Sequence, residues 1–489
     1  MDRLGARRRA RGVALAWTAL LIALAASTFA ERAQAASFTR AFTDDVWFRN
    51  DPATNGRWVV RTEATGAKLV LLEVDWISVE TNAPPAGLDP TNPAGPQFDF
   101  GYLDSRIKEF AATGIQVALL VTDAPQWAEA LGGPSTLEAD GAWEPNPVAF
   151  GQLATALARR YSGSYPDPAS PGHALPRVRY FQAWAEANFT VHLAPQWVKQ
   201  GGRWVPFAPA WYRSMLNAFY VGIKSVHSDN VVVTTGFGPY GDPPGACPPS
   251  GYGNGCRMHP VEFERDLLCL KGQRLVPQRC PNPARFDVLA MDPYEVLGPL
   301  DHAINADDVS APDLGKLTRV VKKAVASGRA LPRRHKPLWV TEFSYESNPP
   351  NPSAVSLATQ ARWLEEALYL FWKQGVSTAV WYLVSDQPGR NFNVNYYSGV
   401  YFNTGQRKPS FEAFRFPFVV FPAGRKQDAW GIAPRSGALR VQRQRGQRWV
   451  TLFTLHAIAG AVFLRKVPAG LRGNFRATVG GETSLVWRR

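Results

Sequence analysis

Along the chain, short and nearly continuous apolar runs alternate with stretches of helical periodicity. The runs are Leu69–Val74, Val117–Val121, Val178–Trp184, Val231–Gly236, Phe286–Met291, Leu338–Phe343 and Thr378–Val384. Their length and lack of polar alternation predict strands covered on both faces. Between them Leu103–Ala112, Pro147–Tyr161, Trp211–Val226, Leu314–Ala326 and Ala358–Lys373 read as helices. A weaker first strand, Ser37–Phe42, precedes a helix near Gly56–Thr65. Eight β/α units of this kind predict an α/β fold, a (β/α)8 TIM barrel over residues 36–421, with a doubly wound open sheet as the alternative.

One motif speaks for that alternative. Gly236-Phe-Gly238-Pro-Tyr-Gly241 follows a strand and fits G-x-G-x-x-G. A dinucleotide site needs a helix N-terminus directly after those glycines, to meet the pyrophosphate. The chain continues as DPPGACPPSGYGNGC, which cannot form one, so the nucleotide reading fails and no cofactor is expected. Beyond Pro417 the pattern changes to short alternating runs with glycine turns, such as Ala438–Gln442, Trp449–Thr454, Ala461–Leu464 and Asn474–Val479. Residues 422–489 therefore predict a small antiparallel β domain, sandwich-like in character.

Charge sharpens this division. The 489 residues carry a formal +14, which invites a nucleic-acid reading. Residues 1–35 hold six basic and two acidic side chains, and residues 422–489 hold thirteen basic and two acidic. The remainder holds 35 basic and 36 acidic residues, so the barrel segment is close to neutral. Nucleic acid is not an expected partner; the basic β domain is expected instead to sit near anionic cell-envelope polymers. At the N-terminus, Arg3 to Arg11 precede the uncharged run Val13–Ala26 and then Ala33-Gln34-Ala35. This reads as a secretory signal cut after Ala35, since the run falls short of the ~20 residues a membrane span needs. The protein is then expected to be secreted or envelope-associated, with no membrane span left after cleavage. The neighbouring arginines admit either general or twin-arginine export.

Four cysteines, Cys247, Cys256, Cys269 and Cys280, suit an oxidising compartment and suggest two disulfides. Of three connectivities the short loops Cys247–Cys256 and Cys269–Cys280 are preferred. A zinc site with His259 is the rival, although no C-x-x-C pair is present.

In a TIM barrel, chemistry sits at the C-terminal ends of the strands. Glu186 ends the fourth predicted strand and Glu342 the seventh, across the barrel mouth from each other. Two carboxyl groups facing one another over a bound sugar are what a retaining glycosidase requires, at about 5–5.5 Å. On these residues, with Pro125-Gln-Trp127-Ala128, Asp292-Pro-Tyr294 and Trp381, the chain resembles the retaining β-glycosidases of glycoside hydrolase clan A, nearest to family 39, over roughly residues 38–417. The resemblance implies Glu186 as general acid/base and Glu342 as nucleophile. It also implies Tyr294 as the nucleophile's aromatic partner. Trp127 and Trp381 are expected to stack on sugar rings, with Asp75 and Asn188 as further substrate contacts; Trp184 and Trp211 read as packing. Two departures stand out: the clan's Asn-Glu-Pro is Ala185-Glu186-Ala187, and the second strand lacks the clan's arginine. The expected activity is hydrolysis of O-glycosidic bonds in an oligo- or polysaccharide. A glycan-binding barrel that has lost turnover is the alternative.

Overall fold

The computed structural model describes residues 38–489 except 47, 49–51, 134–140, 245, 247–256, 296 and 393. The proposed export signal and the Cys247–Cys256 pair lie outside the described residues. Eight parallel strands close into a barrel: β1 (Thr39–Thr43), β2 (Leu69–Asp75), β3 (Gln116–Thr122), β4 (Tyr180–Ala183), β5 (Val231–Phe237), β6 (Val288–Met291), β7 (Leu338–Phe343) and β8 (Val376–Tyr382). Each strand neighbours its sequence successor, and β1 pairs with β8, so the open-sheet alternative falls.

Alternation along these strands separates two apolar layers. Ala41, Leu71, Leu120, Ala290, Trp339 and Val380 fill the barrel interior. Their neighbours, such as Phe42, Leu72 and Val340, point outward to the helices. The main helical cover comes from α1 (Pro52–Ala64), α2 (Gly101–Ala112), α3 (Pro147–Arg160), α4 (Ala208–Val226), α5 (Pro260–Leu267), α6 (Gly315–Ala326) and α7 (Leu357–Lys373). Asn146 starts α3 by accepting from the Val148 and Ala149 N–H groups, with Pro147 in the first turn. Ser356 caps α7 in the same way through Thr359 N. The Gly236–Gly241 motif lies at the end of β5 and in the loop after it, and among the described residues the next helix, α5, begins at Pro260.

After α8 (Pro409–Arg415) come two antiparallel sheets. One contains β9 (Phe418–Ala423), β10 (Lys426–Ile432) and β13 (Val462–Pro468). The other contains β11 (Gly437–Arg445), β12 (Arg448–Ala457) and β14 (Asn474–Val479), extended by the short β15 (Glu482–Thr483) and β16 (Trp487–Arg488). The sheets are joined to the barrel by burial: Trp430 packs on Tyr369 and Trp372, and the Tyr369 hydroxyl donates to Asp428 Oδ2 at 2.8 Å. Cys269 and Cys280 form a disulfide, as the short-loop pairing requires. His259, the histidine near the cysteines in the zinc reading, pairs with Asp308 at 2.6 Å. No helix among the described residues is long and apolar enough to cross a membrane.

Candidate active site

Both expected carboxylates stand at the C-terminal mouth of the barrel. Beyond β4 the chain turns sharply, with Trp184 at φ 79° and Glu186 at φ 27°. Left-handed backbone at non-glycine residues costs of the order of 1–3 kcal/mol and is kept where surrounding contacts enforce it. Here the Ala187 N–H donates to Thr235 Oγ1 at 3.0 Å, and the Trp184 indole N–H donates to the His192 carbonyl at 2.7 Å. The same turn brings His192 Nε2 to 3.5 Å from Glu186 Oε2. Burial disfavours a charged imidazole, yet Glu186, Asp123 and Glu73 together raise the His192 pKa above its ordinary value.

On β7 the pairing with β8 slips between Val340 and Phe343. A slip of this kind re-aims side chains, and consecutive residues Thr341 and Glu342 both make polar contacts at the mouth. The Thr341 hydroxyl donates to Asp292 Oδ1 at 2.7 Å, while the Tyr294 hydroxyl donates to Glu342 Oε1. Asp292 is 5% exposed and fits there only because β5 offers a glycine. A Cβ on Gly236 would lie 2.0 Å from Asp292 Oδ2.

Electrostatically the mouth is strongly acidic. Burial pushes the Glu342 carboxyl well above the usual range, Asp292 pushes further, and the Tyr294 hydrogen bond pulls the other way; Glu186 and Asp45 add repulsion. Asp292 is also raised, first by burial and then by Glu186, against donation from Thr341 and from the Glu342 backbone. Asp292 and Glu342 thus resist losing both protons together. At the end of β8, the Tyr382 hydroxyl donates to Asp45 Oδ1 at 3.1 Å, and Gln387 Nε2 reaches the same oxygen at 3.3 Å.

The other sequence candidates divide. Tyr294 meets Glu342 as expected. Asp75 is half-buried at the end of β2; Ser78 donates to its Oδ2 at 2.6 Å, and its Oδ1 is buried with no hydrogen-bond partner. Trp127 is half-buried, donates to the Glu80 carbonyl at 3.1 Å and meets Trp76 edge-on. Asn188 is fully buried and its amide is consumed by backbone: Nδ2 donates to Gly238 and Met258 carbonyls, and Oδ1 accepts from Gly238 N. It pins loops together rather than offering an amide to a sugar. Trp381 is 0% exposed, donates to the Ser398 carbonyl and packs edge-on against Phe343. It belongs to the outer core, and Tyr382, one residue on, takes the inward position. Asp45, Asp292, His192 and Tyr382 were not anticipated as site residues. The strand-end rule that picks out Glu342 applies equally to Asp292, but nothing in the spacing marks His192. A cavity of about 360 Å³, lined by Tyr180, Asp287, Arg334 and Trp339 among others, opens instead where the strands begin, away from the carboxylates.

No family model matches the chain, and no curated protein matches it in sequence. Among solved structures it is similar to a family 39 glycoside hydrolase from the gut symbiont Bacteroides cellulosilyticus WH2, at 14% identity and TM-score 0.54, over 89% of this chain and 81% of that one. A monomeric β-xylosidase from Caulobacter crescentus CB15 matches at 14% identity and TM-score 0.49, over 88% of this chain and 96% of that one. At these identities the likeness is one of fold: the chain is an eight-stranded barrel, structurally similar to family 39 glycoside hydrolases, with antiparallel sheets appended.

Proposed function

We propose that the protein is a secreted retaining glycoside hydrolase, with Glu342 as nucleophile and Glu186 as general acid/base. The observation that carries this reading is the placement of two carboxyl groups after β4 and at the end of β7, each with its own partner. Tyr294 donates to Glu342, and His192 lies against Glu186. Ionised Glu342 attacks the anomeric carbon as protonated Glu186 gives its proton to the departing glycosidic oxygen. Water then adds to the glycosyl-enzyme, losing its proton to Glu186 as the Glu342–carbon bond breaks. The Tyr294 hydroxyl stabilises the charged nucleophile where an arginine would otherwise do so. The substrate is an oligo- or polysaccharide, and the chemistry needs no cofactor.

A second reading, a glycan-binding barrel without turnover, is favoured by one feature. Asp292 and Glu342 are crowded and buried, so the nucleophile surrenders its proton reluctantly. Aryl β-glycosides of several sugars, assayed with wild type and Glu342→Gln, decide between the two. Turnover lost in the variant supports the enzyme, as does mass-spectrometric trapping of a fluorinated glycosyl group on Glu342. No turnover across the panel, with glycan binding retained, establishes the binder.

A further inference from the structure

The sheet formed by β11, β12 and β14 has a buried face and an outer face with unlike chemistry. Leu439, Val441, Phe475, Ala477 and Val479 are buried. Their neighbours point the other way. Register places Arg440 beside Thr454 and Thr478, Gln442 beside Thr451 and Arg476, and Gln444 beside Trp449. These side chains are also tied to one another. The Arg476 guanidinium lies 4.2 Å from the Trp449 ring centroid and donates from Nε to Gln442 Oε1 at 2.8 Å. Asn474 Nδ2 donates to Gln444 Oε1 at 2.8 Å. The result is one half-buried aromatic ring near the hairpin end of the edge strand β12, on a face with amides, threonines, guanidinium groups and the exposed His456.

The charge on these three strands is one-sided, and of their arginines Arg440 and Arg476 share the outer face with Gln442 and Gln444. The three strands contain Arg440, Arg443, Arg445, Arg448 and Arg476 and no Asp or Glu. Arg445 and Arg448, on the side of Leu439 and Val441, are direct cross-strand partners at the hairpin end, a like-charge pairing that costs stability when nothing compensates it. Arg440, Arg445 and Arg448 are exposed, and none of these five arginines has a carboxylate partner among the described residues.

We propose that this outer face binds an acidic polysaccharide, a glycan bearing carboxylate groups. Trp449 offers a flat apolar surface to the CH face of a sugar ring. Gln442, Gln444 and Asn474 present amide groups for hydroxyls. Arg440 and Arg476 take carboxylates in the two-pronged geometry that guanidinium groups favour. A lipid surface would have no use for the amide row and would want apolar side chains projecting from the face. The site is separate from the barrel mouth and does not depend on turnover there.

The test uses the full chain and measures binding to polygalacturonate, a neutral β-glucan, single-stranded DNA and vesicles containing phosphatidylglycerol. Polygalacturonate should bind most tightly. Trp449→Ala and the double variant Arg440→Ala/Arg476→Ala should each weaken that binding about tenfold or more. Removing the same charge from the other sheet, with Arg425→Ala/Lys426→Ala, should change it less than about twofold. If Trp449→Ala does not fold by circular dichroism, Thr454→Glu, an exposed substitution that places a carboxylate on the face, should abolish binding. Glu342→Gln should bind polygalacturonate as wild type does, which keeps failure of this site distinct from failure of the catalytic reading. Equal weakening by both charge-removing double variants, no effect of Trp449→Ala in a folded protein, or tighter binding to DNA or vesicles would overturn the proposal.

Discussion

The barrel mouth and the outer face of the β11–β12–β14 sheet are built on opposite electrostatic plans. At the mouth Asp45, Glu186, Asp292 and Glu342 crowd together, and burial makes the charges of Asp292 and Glu342 expensive. On the outer face Arg440 is exposed to water, Arg476 is half-buried, and their strands hold no carboxylate. The same kind of imbalance therefore does different work. Buried like charges move titrations and set which proton is available, because the surrounding dielectric is low. Exposed like charges attract an oppositely charged polymer over a distance set by salt. The formal +14 describes neither region, since it averages an acidic mouth with a cationic sheet.

The comparison is broken most severely by neutralising the proposed nucleophile. Glu342→Gln should reduce turnover of aryl glycosides by roughly 10^4-fold or more, leaving polymer binding by the sheet intact. A smaller loss would show that the acidic mouth is not a catalytic arrangement. Next in size is Tyr294→Phe. It removes a hydrogen bond that favours ionised Glu342, and loss of a hydrogen bond to a charged group is worth about 1.5–3 kcal/mol, or roughly ten- to hundredfold in kcat/KM. Glu342 must be ionised to attack, so its raised pKa appears as the acidic limb of the pH profile. Tyr294→Phe should move that limb to higher pH. Asp292→Asn removes the main repulsive neighbour and should move it to lower pH. Shifts of the same sign in both variants would disprove the assignment of Glu342 as the group titrating there.

How much of this was legible beforehand depended on how each residue's face is decided. The eight strands were visible because strands buried on both sides read as continuous apolar runs. The same fact hides parity: in Thr378-Ala-Val-Trp-Tyr-Leu-Val nothing in the letters says whether Trp381 or Tyr382 turns inward, and the structure chooses Tyr382. The fourth strand was expected to reach Trp184 but ends at Ala183, where the left-handed turn toward Glu186 begins. Helix α5 is short and carries Glu262, Glu264, Arg265 and Asp266, so its apolar stripe is too thin to stand out. Gly236, by contrast, sat in plain view inside a motif that suggested a nucleotide, while its use is to make room for Asp292. Long-range complementarity of that kind has no local signature.

Gly236 also provides a structural probe of the mouth. An alanine there would drive a methyl group into the Asp292 carboxyl, and the neighbouring β5 backbone leaves little freedom to yield. Overpacking of this kind costs about 1–3 kcal/mol, measurable as a lowered urea midpoint without change in slope. A stability equal to wild type would mean that Asp292 can leave its place without penalty.

The smallest effect separates the two regions by salt alone. At 1 M ionic strength the screening length falls to about 3 Å, which weakens attraction between exposed arginines and a polyanion far more than contacts within a buried site. Turnover of an uncharged aryl glycoside should stay within about twofold between 0.1 M and 1 M sodium chloride, while retention on polygalacturonate should fall steeply. Because the glycoside carries no charge, its capture does not depend on long-range attraction. The Tyr294–Glu342 and Thr341–Asp292 hydrogen bonds act over contact distance, where mobile ions do not intervene. Turnover that fell in parallel with retention would mean that the cationic sheet and the acidic mouth work on one bound chain, and that their charges have to be read together.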